Sequence, residues 1–439
     1  MPRIVPSFSA AIKTITARTG PATSAFWLGL DRAVRIGLGF VVSVLVARHL
    51  GPEGNGLLAA GLALAALLAS LVELGLDIVV RRELVRSPAR AGELLGTMLG
   101  LRIMAVAPTA GIFLWLFSRQ TDGGHPLLGV LLAVTVALPV AQTLETWFLS
   151  RDAARQNVLA QSTALVTGAL ARGALALAGA TVVAFGAVAA AETVLVGGFL
   201  YLFYRRERPV EGWRFDRATA RTLLRDAAPL LATTAAITIY RRADIIMLTH
   251  LTGEAAAGTY AVAVKLAEAG YVAPMVLVNA WFPRLTRLHA EDRPLYRAEL
   301  TRFFRLVTWL GVAFAGVATL AATHLVPLIY GAKFSGAAQP LALYAWTAVL
   351  IGQGIARSQW LLLENLQVHG LWFALIGAGV NVALNALLIP RYGPSGAALA
   401  CLGAHATSLY LAPLFFPQTR TVWRAGLGAF FFRPAPPNL

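Results

Sequence analysis

Charged side chains interrupt the long apolar stretches of this 439-residue sequence. Eight of them are cations: Arg32, Arg35, Arg102, Arg172, Arg241, Arg242, Lys265 and Arg357. An ionisable group at the centre of a bilayer costs about 2.5 to 3.5 kcal/mol on insertion scales, so it normally faces a protein interior or a water-filled cavity. Arginine, in addition, donates to phosphate in bidentate geometry. The set predicts a cavity for a phosphate-bearing anion, with these candidate ligands: Arg32, Arg35, Arg172, Arg241, Arg242 and Lys265.

Some of these cations have an acidic neighbour three or four residues away, on the same face of a helix. The pairs are Asp31 with Arg35, Arg241 with Asp244 and Lys265 with Glu268. An alternative interpretation is that each pair only lowers the cost of insertion and binds nothing. Arg32, Arg172 and Arg242 have no such partner on their own helix, which favours an external anion, most simply a lipid diphosphate.

Five acidic residues in the apolar stretches are candidates for proton or sodium coupling: Asp77, Glu145, Glu192, Asp244 and Glu268. Pairing with the cavity arginines is the alternative for each of them. Cys401 is the single cysteine, so the sequence predicts no disulfide framework and no cysteine metal site, and we expect no cofactor.

The elements that must hold these charges are membrane-spanning helices. Hydrophobic residues make up 57% of the chain and charged residues 13%, against about 25% charge in soluble domains. Apolar stretches of about twenty residues, enough to cross a hydrocarbon layer of ~30 Å, recur along the chain. They predict an all-α polytopic membrane protein with twelve spans: 26–47, 57–76, 94–117, 126–149, 158–182, 187–204, 227–251, 256–281, 304–328, 340–363, 370–388 and 396–416.

The distribution of Lys and Arg gives these spans a direction. With a cytoplasmic N-terminus, 25 of the 37 Lys and Arg residues fall in inner segments and four in outer ones. Cytoplasmic loops retain positive charge in this way. We therefore expect a multi-pass protein of the bacterial cytoplasmic membrane with both termini on the cytoplasmic side, and we expect the net charge of +16 to reflect topology rather than nucleic-acid binding.

Two short matches indicate an internal repeat. His49-Leu50-Gly51-Pro52-Glu53 resembles His250-Leu251-Thr252-Gly253-Glu254, 201 residues later, and Phe185-Gly186 resembles Tyr392-Gly393 at an offset of 207. Six helices per repeat return the chain to the same side, so the repeat is parallel and its pseudo-twofold axis follows the membrane normal. The predicted organisation is a leader (1–25), a six-helix N-terminal lobe (26–204), a basic linker (205–226), a six-helix C-terminal lobe (227–416) and a tail (417–439).

Several stretches resemble the polysaccharide-exporting flippases of the multidrug/oligosaccharidyl-lipid/polysaccharide (MOP) superfamily. They are residues 49–56, 73–83, Arg242-Ala243-Asp244, Gly258-Thr259-Tyr260, Pro283-Arg284-Leu285 and residues 385–400. The resemblance implies two lobes, an alternating-access cycle and a cationic cavity for a polyprenyl-diphosphate-linked saccharide. It also implies the bilayer and polysaccharide polymerase machinery as partners, and no catalysis.

Other functions leave different signatures in a sequence. An ion-coupled drug or cation antiporter of the same superfamily would present mainly acidic cavity groups. A polysaccharide polymerase or ligase would need a large outer loop with catalytic side chains, whereas the predicted outer loops are short connections. A membrane scaffold would leave eight buried cations unexplained. For the recognition of neutral sugars the candidates are Gln353, Trp281, Asn381 and Asn385.

Overall fold

The computed structural model describes residues 21–121, 123–151, 153–207 and 212–431, with side chains from residue 37 onward except at 279. These residues form fifteen α-helices and contain no β-strand. The helices are α1 Pro21–Glu73, α2 Leu76–Arg86, α3 Ala91–Gln120, α4 Pro126–Thr135, α5 Leu138–Ser150, α6 Ala154–Leu177, α7 Val182–Arg206, α8 Arg217–Thr252, α9 Glu254–Ala267, α10 Val272–Glu291, α11 Arg293–Tyr330, α12 Ala338–Tyr344, α13 Thr347–Leu363, α14 Gln367–Ala406 and α15 Arg420–Phe430.

The membrane spans follow from the lengths of these helices. In the described residues, eight helical stretches are long and apolar enough to cross a membrane, and the bent pair Ala332–Tyr344 and Thr347–Leu363 makes a ninth. Two stretches, Gly37–Arg86 and Gln367–Phe415, are 50 and 49 residues long and kink at Gly51 and Gly393, so each crosses twice. With α8, which is 36 residues long but carries more charge, the described chain has twelve spans.

The kinks support one of the two predicted repeat matches. Gly51 (φ 70°, ψ −178°) and Gly253 (φ 91°, ψ 172°) share a backbone conformation that L side chains rarely adopt, and each joins an odd span to the next even one. The second match fails. Gly393 forms the turn between spans eleven and twelve, whereas Gly186 lies inside α7, beyond the turn at Gly179.

Helix α8 connects the two lobes. Near its start, Leu223 and Ala227 pack in an N-lobe cluster with residues of α2 and α3, while further along, Ile245 and Leu248 pack in a cluster shared with α1 and α9. The predicted linker therefore becomes helical at Arg217, ten residues before the predicted span begins. Residues 1–20 of the predicted leader and 432–439 of the predicted tail lie outside the described residues.

Arg214 and Phe215 of the linker pack against glycines of α3. A Cβ on Gly96 would lie 2.5 Å from the backbone nitrogen of Arg214, and one on Gly100 would lie 2.6 Å from the ring of Phe215. Asp216 then caps α8 by accepting from the Thr219 N–H at 2.7 Å, a bond that lowers the pKa of the Asp216 carboxyl. These glycines thus allow the linker to pack closely on α3.

Candidate functional site

The two lobes meet in backbone contact where α1 crosses α9. A Cβ on Gly56 would overlap the carbonyl oxygen of Glu254, and one on Gly258 would overlap that of Pro52. The side chain of Asn55 donates from Nδ2 to the Gly258 carbonyl oxygen at 3.0 Å. This crossing follows spans one and seven and therefore closes the outer end of the molecule in the predicted topology.

A cavity of about 840 Å³ lies between α1, α8, α9, α13 and α14. We call it the cationic cavity because four cations line it: Arg241, Arg242, Lys265 and Arg357. Two carboxylates, Asp244 and Glu268, also face it. With His405 neutral, the net charge of these described side chains is +2.

Arg241 and Arg242 line the cavity without a carboxylate partner among the described side chains. The predicted pair between Arg241 and Asp244 does not form. Asp244 is instead buried, with 2% of its surface exposed, and accepts from the Tyr260 hydroxyl and from the backbone N–H of Ile245. Asp244 is thus hydrogen-bonded by Tyr260 rather than by Arg241, and Arg241 faces the cavity.

Lys265 and Glu268 do pair as the sequence predicts. Their Nζ and Oε2 atoms lie 3.5 Å apart, and both side chains are partly exposed to the cavity. The pair contributes no net charge, so the excess positive charge of the cavity comes from its arginines.

The sequence marks Arg357 as a cation within a span but does not predict it as a site residue. Its Nη1 donates to the Ser408 carbonyl oxygen at 2.5 Å, and its guanidinium carbon lies 4.7 Å from the centre of the Phe373 ring. Ser408 belongs to a π-helical turn, Thr407–Leu411, a distortion frequent at functional sites. Arg357 has no carboxylate partner in the described chain, so it adds a third unneutralised arginine to the cavity.

Arg172 does not lie in the cationic cavity. It forms two hydrogen bonds with Glu192 on the neighbouring helix α7, from Nη1 to Oε1 at 2.7 Å and from Nη2 to Oε2 at 2.5 Å. Gly168 makes room for this pair, since a Cβ there would overlap Glu192 Oε1. The partner that Arg172 lacks on its own helix is thus supplied by the next one.

Asp77 forms an ion pair with Arg102, a fully buried arginine that also donates hydrogen bonds at two breaks between helices. Arg102 donates to Asp77 Oδ2 at 2.7 Å and to the Glu73 carbonyl oxygen at 3.4 Å, on either side of the break between α1 and α2. It also donates to the carbonyl oxygen of Pro139 at 2.7 Å, where α5 begins after the break that follows α4. This arginine satisfies backbone groups that the breaks leave open.

The remaining predicted residues are distributed as follows. Arg32 and Arg35 belong to α1, but their side chains lie outside the described residues, so their role stays a prediction. Glu145 accepts from the Gln161 amide at 3.2 Å. The sugar candidates Gln353, Trp281, Asn381 and Asn385 are absent from the described lining of the cavity, which instead offers Phe40, Tyr240, Tyr271 and His405.

Solved structures share this fold. A structure of the lipid II flippase MurJ in an inward closed conformation matches with a TM-score of 0.72 and 14% identity, covering 92% of this chain and 91% of its own. An inward-facing multidrug-resistance MATE transporter of the MOP superfamily matches with a TM-score of 0.66 and 15% identity, covering 89% and 95%. A MOP-superfamily transporter from Pyrococcus furiosus matches with a TM-score of 0.57 and 14% identity, covering 91% and 95%.

At these low identities the TM-scores show the fold alone, which this chain shares with transporters of the MOP superfamily, and they indicate no particular cargo. No curated protein matches the sequence. A family model described as "Polysaccharide biosynthesis protein" matches residues 22–289, more than half of the chain. This multi-pass membrane protein therefore belongs to the polysaccharide biosynthesis protein family.

Proposed function

We propose that the protein is a flippase that moves a polyprenyl-diphosphate-linked oligosaccharide from the inner to the outer leaflet of a bacterial cytoplasmic membrane. One observation carries the proposal: Arg241, Arg242 and Arg357 line a single cavity of about 840 Å³ and have no carboxylate partner among the described side chains. Cations without partners are costly within a membrane-spanning segment. A diphosphate ester supplies the missing negative charge, and the arginine fork matches phosphate oxygens.

The cargo moves without covalent change. Its saccharide and diphosphate cross inside the cationic cavity, while the polyprenyl tail stays in the hydrocarbon of the membrane. The tight crossing at Gly56 and Gly258 excludes water and cargo from the outer end of the cavity in this conformation. Opening of that crossing, with closure at the opposite end, releases the head group outside.

The membrane potential gives the cycle a direction. With a negative cytoplasm, outward movement of negative charge is favourable by about 2.3 kcal/mol per charge and 100 mV. The emptied cavity carries net positive charge and is drawn back inward by the same potential. The polysaccharide polymerase machinery of the outer face would then consume the delivered repeat units.

Ion coupling rests most naturally on Asp244. In the described chain, Asp77 and Glu192 are bound to arginines, Glu145 to an amide and Glu268 to Lys265. Asp244 alone of the five candidates is buried, faces the cavity and has no cationic partner there. A proton or a small cation that bound Asp244 during part of the cycle would add to the driving force of the potential.

An ion-coupled drug antiporter is the second candidate. The shared fold with MATE transporters and the presence of Asp244 in the cavity favour it. The excess of cations beside that acid disfavours it, because a cationic drug would be repelled.

Reconstitution tests the proposal directly. Proteoliposomes would contain a radiolabelled polyprenyl-diphosphate disaccharide, and an impermeant oxidant such as periodate would report the head groups that reach the outer face. We expect faster exposure than in protein-free vesicles, and a further change in rate when valinomycin and potassium set the potential. A rate equal to that of protein-free vesicles, or no effect of the potential, would contradict the corresponding part of the proposal.

A further inference from the structure

A second cavity, of about 750 Å³, opens on the N-lobe between α3, α5 and α7. We call it the N-lobe groove. It shares no lining residue with the cationic cavity, and its walls are formed mainly by apolar side chains such as Ile103, Val140 and Val194. Nothing in the proposed transport cycle uses it.

Three small residues, Ala137, Ala141 and Gly197, line the groove, and we call them its floor. A Cβ on Gly197 would lie 3.2 Å from that of Ala141, where α5 approaches α7. Ile103 and Val194 form opposite rims and are 54% and 63% exposed. The surface that faces the hydrocarbon is thus concave here.

The length of the groove matches one leaflet. Along α7 it runs from Thr193 to Tyr204, a rise of about 16 Å in an α-helix. That is about half of a hydrocarbon layer of ~30 Å. Tyr204 lies at the cytoplasmic end of α7 in the predicted topology, so the groove traverses the inner leaflet.

The cytoplasmic mouth of the groove is aromatic and basic. Trp213 donates from Nε1 to the Tyr204 hydroxyl at 2.8 Å, and the Arg205 guanidinium carbon lies 6.0 Å from the centre of the Tyr201 ring. Arg205 and Arg206 end α7, are exposed, and form no ion pair with a described carboxylate. Basic pockets beside apolar helix surfaces on the cytoplasmic side select anionic head groups, and aromatic rings mark the level of the head groups.

We propose that the N-lobe groove binds an anionic phospholipid of the inner leaflet, with an acyl chain along the floor of alanine and glycine and the phosphate at Arg205 and Arg206. The cargo lipid is not the occupant, because its head group would have to lie in the cationic cavity, which is lined by other residues. The bound lipid would hold α3, α5 and α7 together as one body.

The test is quantification of phospholipid that remains bound to the full-length protein. The protein would be purified in detergent, incubated with equal amounts of phosphatidylglycerol and phosphatidylethanolamine, washed, and analysed by mass spectrometry. We expect phosphatidylglycerol to be retained in excess. Gly197→Leu, which fills the floor, should reduce both lipids, whereas Arg205→Gln/Arg206→Gln should reduce only phosphatidylglycerol, by roughly fivefold for each arginine removed.

Matched controls separate the groove from general lipid contact. Leu170→Trp alters an apolar side chain that is 69% exposed on α6, and Arg420→Gln/Arg424→Gln removes two arginines beside the C-lobe. Both should retain phosphatidylglycerol as the wild type does. Equal retention of the two phospholipids by the wild type, or undiminished phosphatidylglycerol in Arg205→Gln/Arg206→Gln, would overturn the proposal. Displacement of the phospholipid by polyprenyl phosphate would assign the groove to the cargo and overturn it as well.

Discussion

The arginines within the spans of the two lobes have different partners. In the N-lobe, Arg102 is bound by Asp77 and Arg172 by Glu192, at distances of 2.5 to 2.7 Å between donor and acceptor atoms. In the C-lobe, Arg241 and Arg242 face a cavity, and the neighbouring acid, Asp244, is satisfied by Tyr260. Arginines in the same membrane thus form internal ion pairs in one lobe and line an open cavity, the proposed anion site, in the other.

This difference distinguishes arginines that are neutralised within the protein from arginines that are available to a ligand. An arginine that is matched by a carboxylate on a neighbouring helix stabilises the packing of those helices and needs no ligand. An arginine whose acidic neighbour is already satisfied keeps its hydrogen-bonding capacity for a ligand. Substitutions of C-lobe arginines should therefore affect transport, and those of N-lobe arginines should affect folding.

The largest effect on transport is expected for Arg242→Ala and Arg357→Ala. Each removes hydrogen bonds between a charged donor and the diphosphate, worth about 1.5 to 3 kcal/mol, which corresponds to roughly a 10- to 150-fold loss of affinity. In a strain that depends on this protein, surface polysaccharide should be lost and lipid-linked repeat units should accumulate inside. Lys265→Ala, which breaks a pair with Glu268, should have a smaller effect. Normal export by all three variants would contradict the assignment of the cationic cavity.

The largest effect on stability is expected for Arg102→Met. Arg102 is fully buried and satisfies one carboxylate and two backbone carbonyls, so its removal should destabilise the protein by about 3 kcal/mol or more. Thermal unfolding in detergent, monitored by size-exclusion chromatography, measures this loss of stability. The folded fraction should still bind cargo. Wild-type thermal stability of the variant would show that the N-lobe pair is not structural.

An intermediate effect, on the accessibility of the outer end of the cavity, is expected where the two lobes meet. Gly56→Ala and Gly258→Ala place a methyl group against backbone carbonyls and should prevent the closure seen at that crossing. A cysteine introduced at Asn55 should then react several times faster with an impermeant maleimide. Gly379→Ala, whose Cβ would meet no atom within 4 Å, is the matched control. Equal reactivity in all variants would show that the crossing is not a gate.

The smallest effect, a loss of thermal stability, is expected where the linker packs on α3. Gly96→Ala brings a Cβ to 2.5 Å from the Arg214 nitrogen and should cost about 1 to 3 kcal/mol through overpacking. Gly111→Ala, on the same helix with open space around its Cβ, should be neutral or slightly stabilising. The difference between the two melting temperatures measures the contribution of linker packing to the N-lobe.

The sequence predicted the membrane architecture because hydropathy and loop charge are local properties. It predicted the pair of Lys265 and Glu268 for the same reason, since residues three apart share a helix face. It could not predict that Glu192 binds Arg172, or that Tyr260 satisfies Asp244, because those contacts depend on how helices rotate against one another. The polar start of α8 looked like a linker, since only its packing on the N-lobe makes residues 217–226 part of a long helix.

The site was predicted in part. Charge inside a span indicated Arg241, Arg242 and Lys265, and all three line the cavity. The same signal marked Arg357, but the features that make it part of the site, Phe373 and the π-helical turn at Ser408, come from helices that follow later in the chain. A short motif match also misled: Tyr392-Gly393 is a turn, whereas Phe185-Gly186 is helix interior.

Anion binding by the C-lobe is tested directly by the equilibrium affinity for a polyprenyl-diphosphate disaccharide, measured in nanodiscs for the wild type and two variants. We expect Arg241→Gln/Arg242→Gln/Arg357→Gln to lower the affinity at least tenfold, and Arg172→Gln/Glu192→Gln, which removes an N-lobe pair, to leave it at the wild-type value. We also expect much weaker binding of the uncharged polyprenol. Equal affinity of the first variant and the wild type, or a greater loss in the second variant, would contradict the assignment of anion binding to the C-lobe.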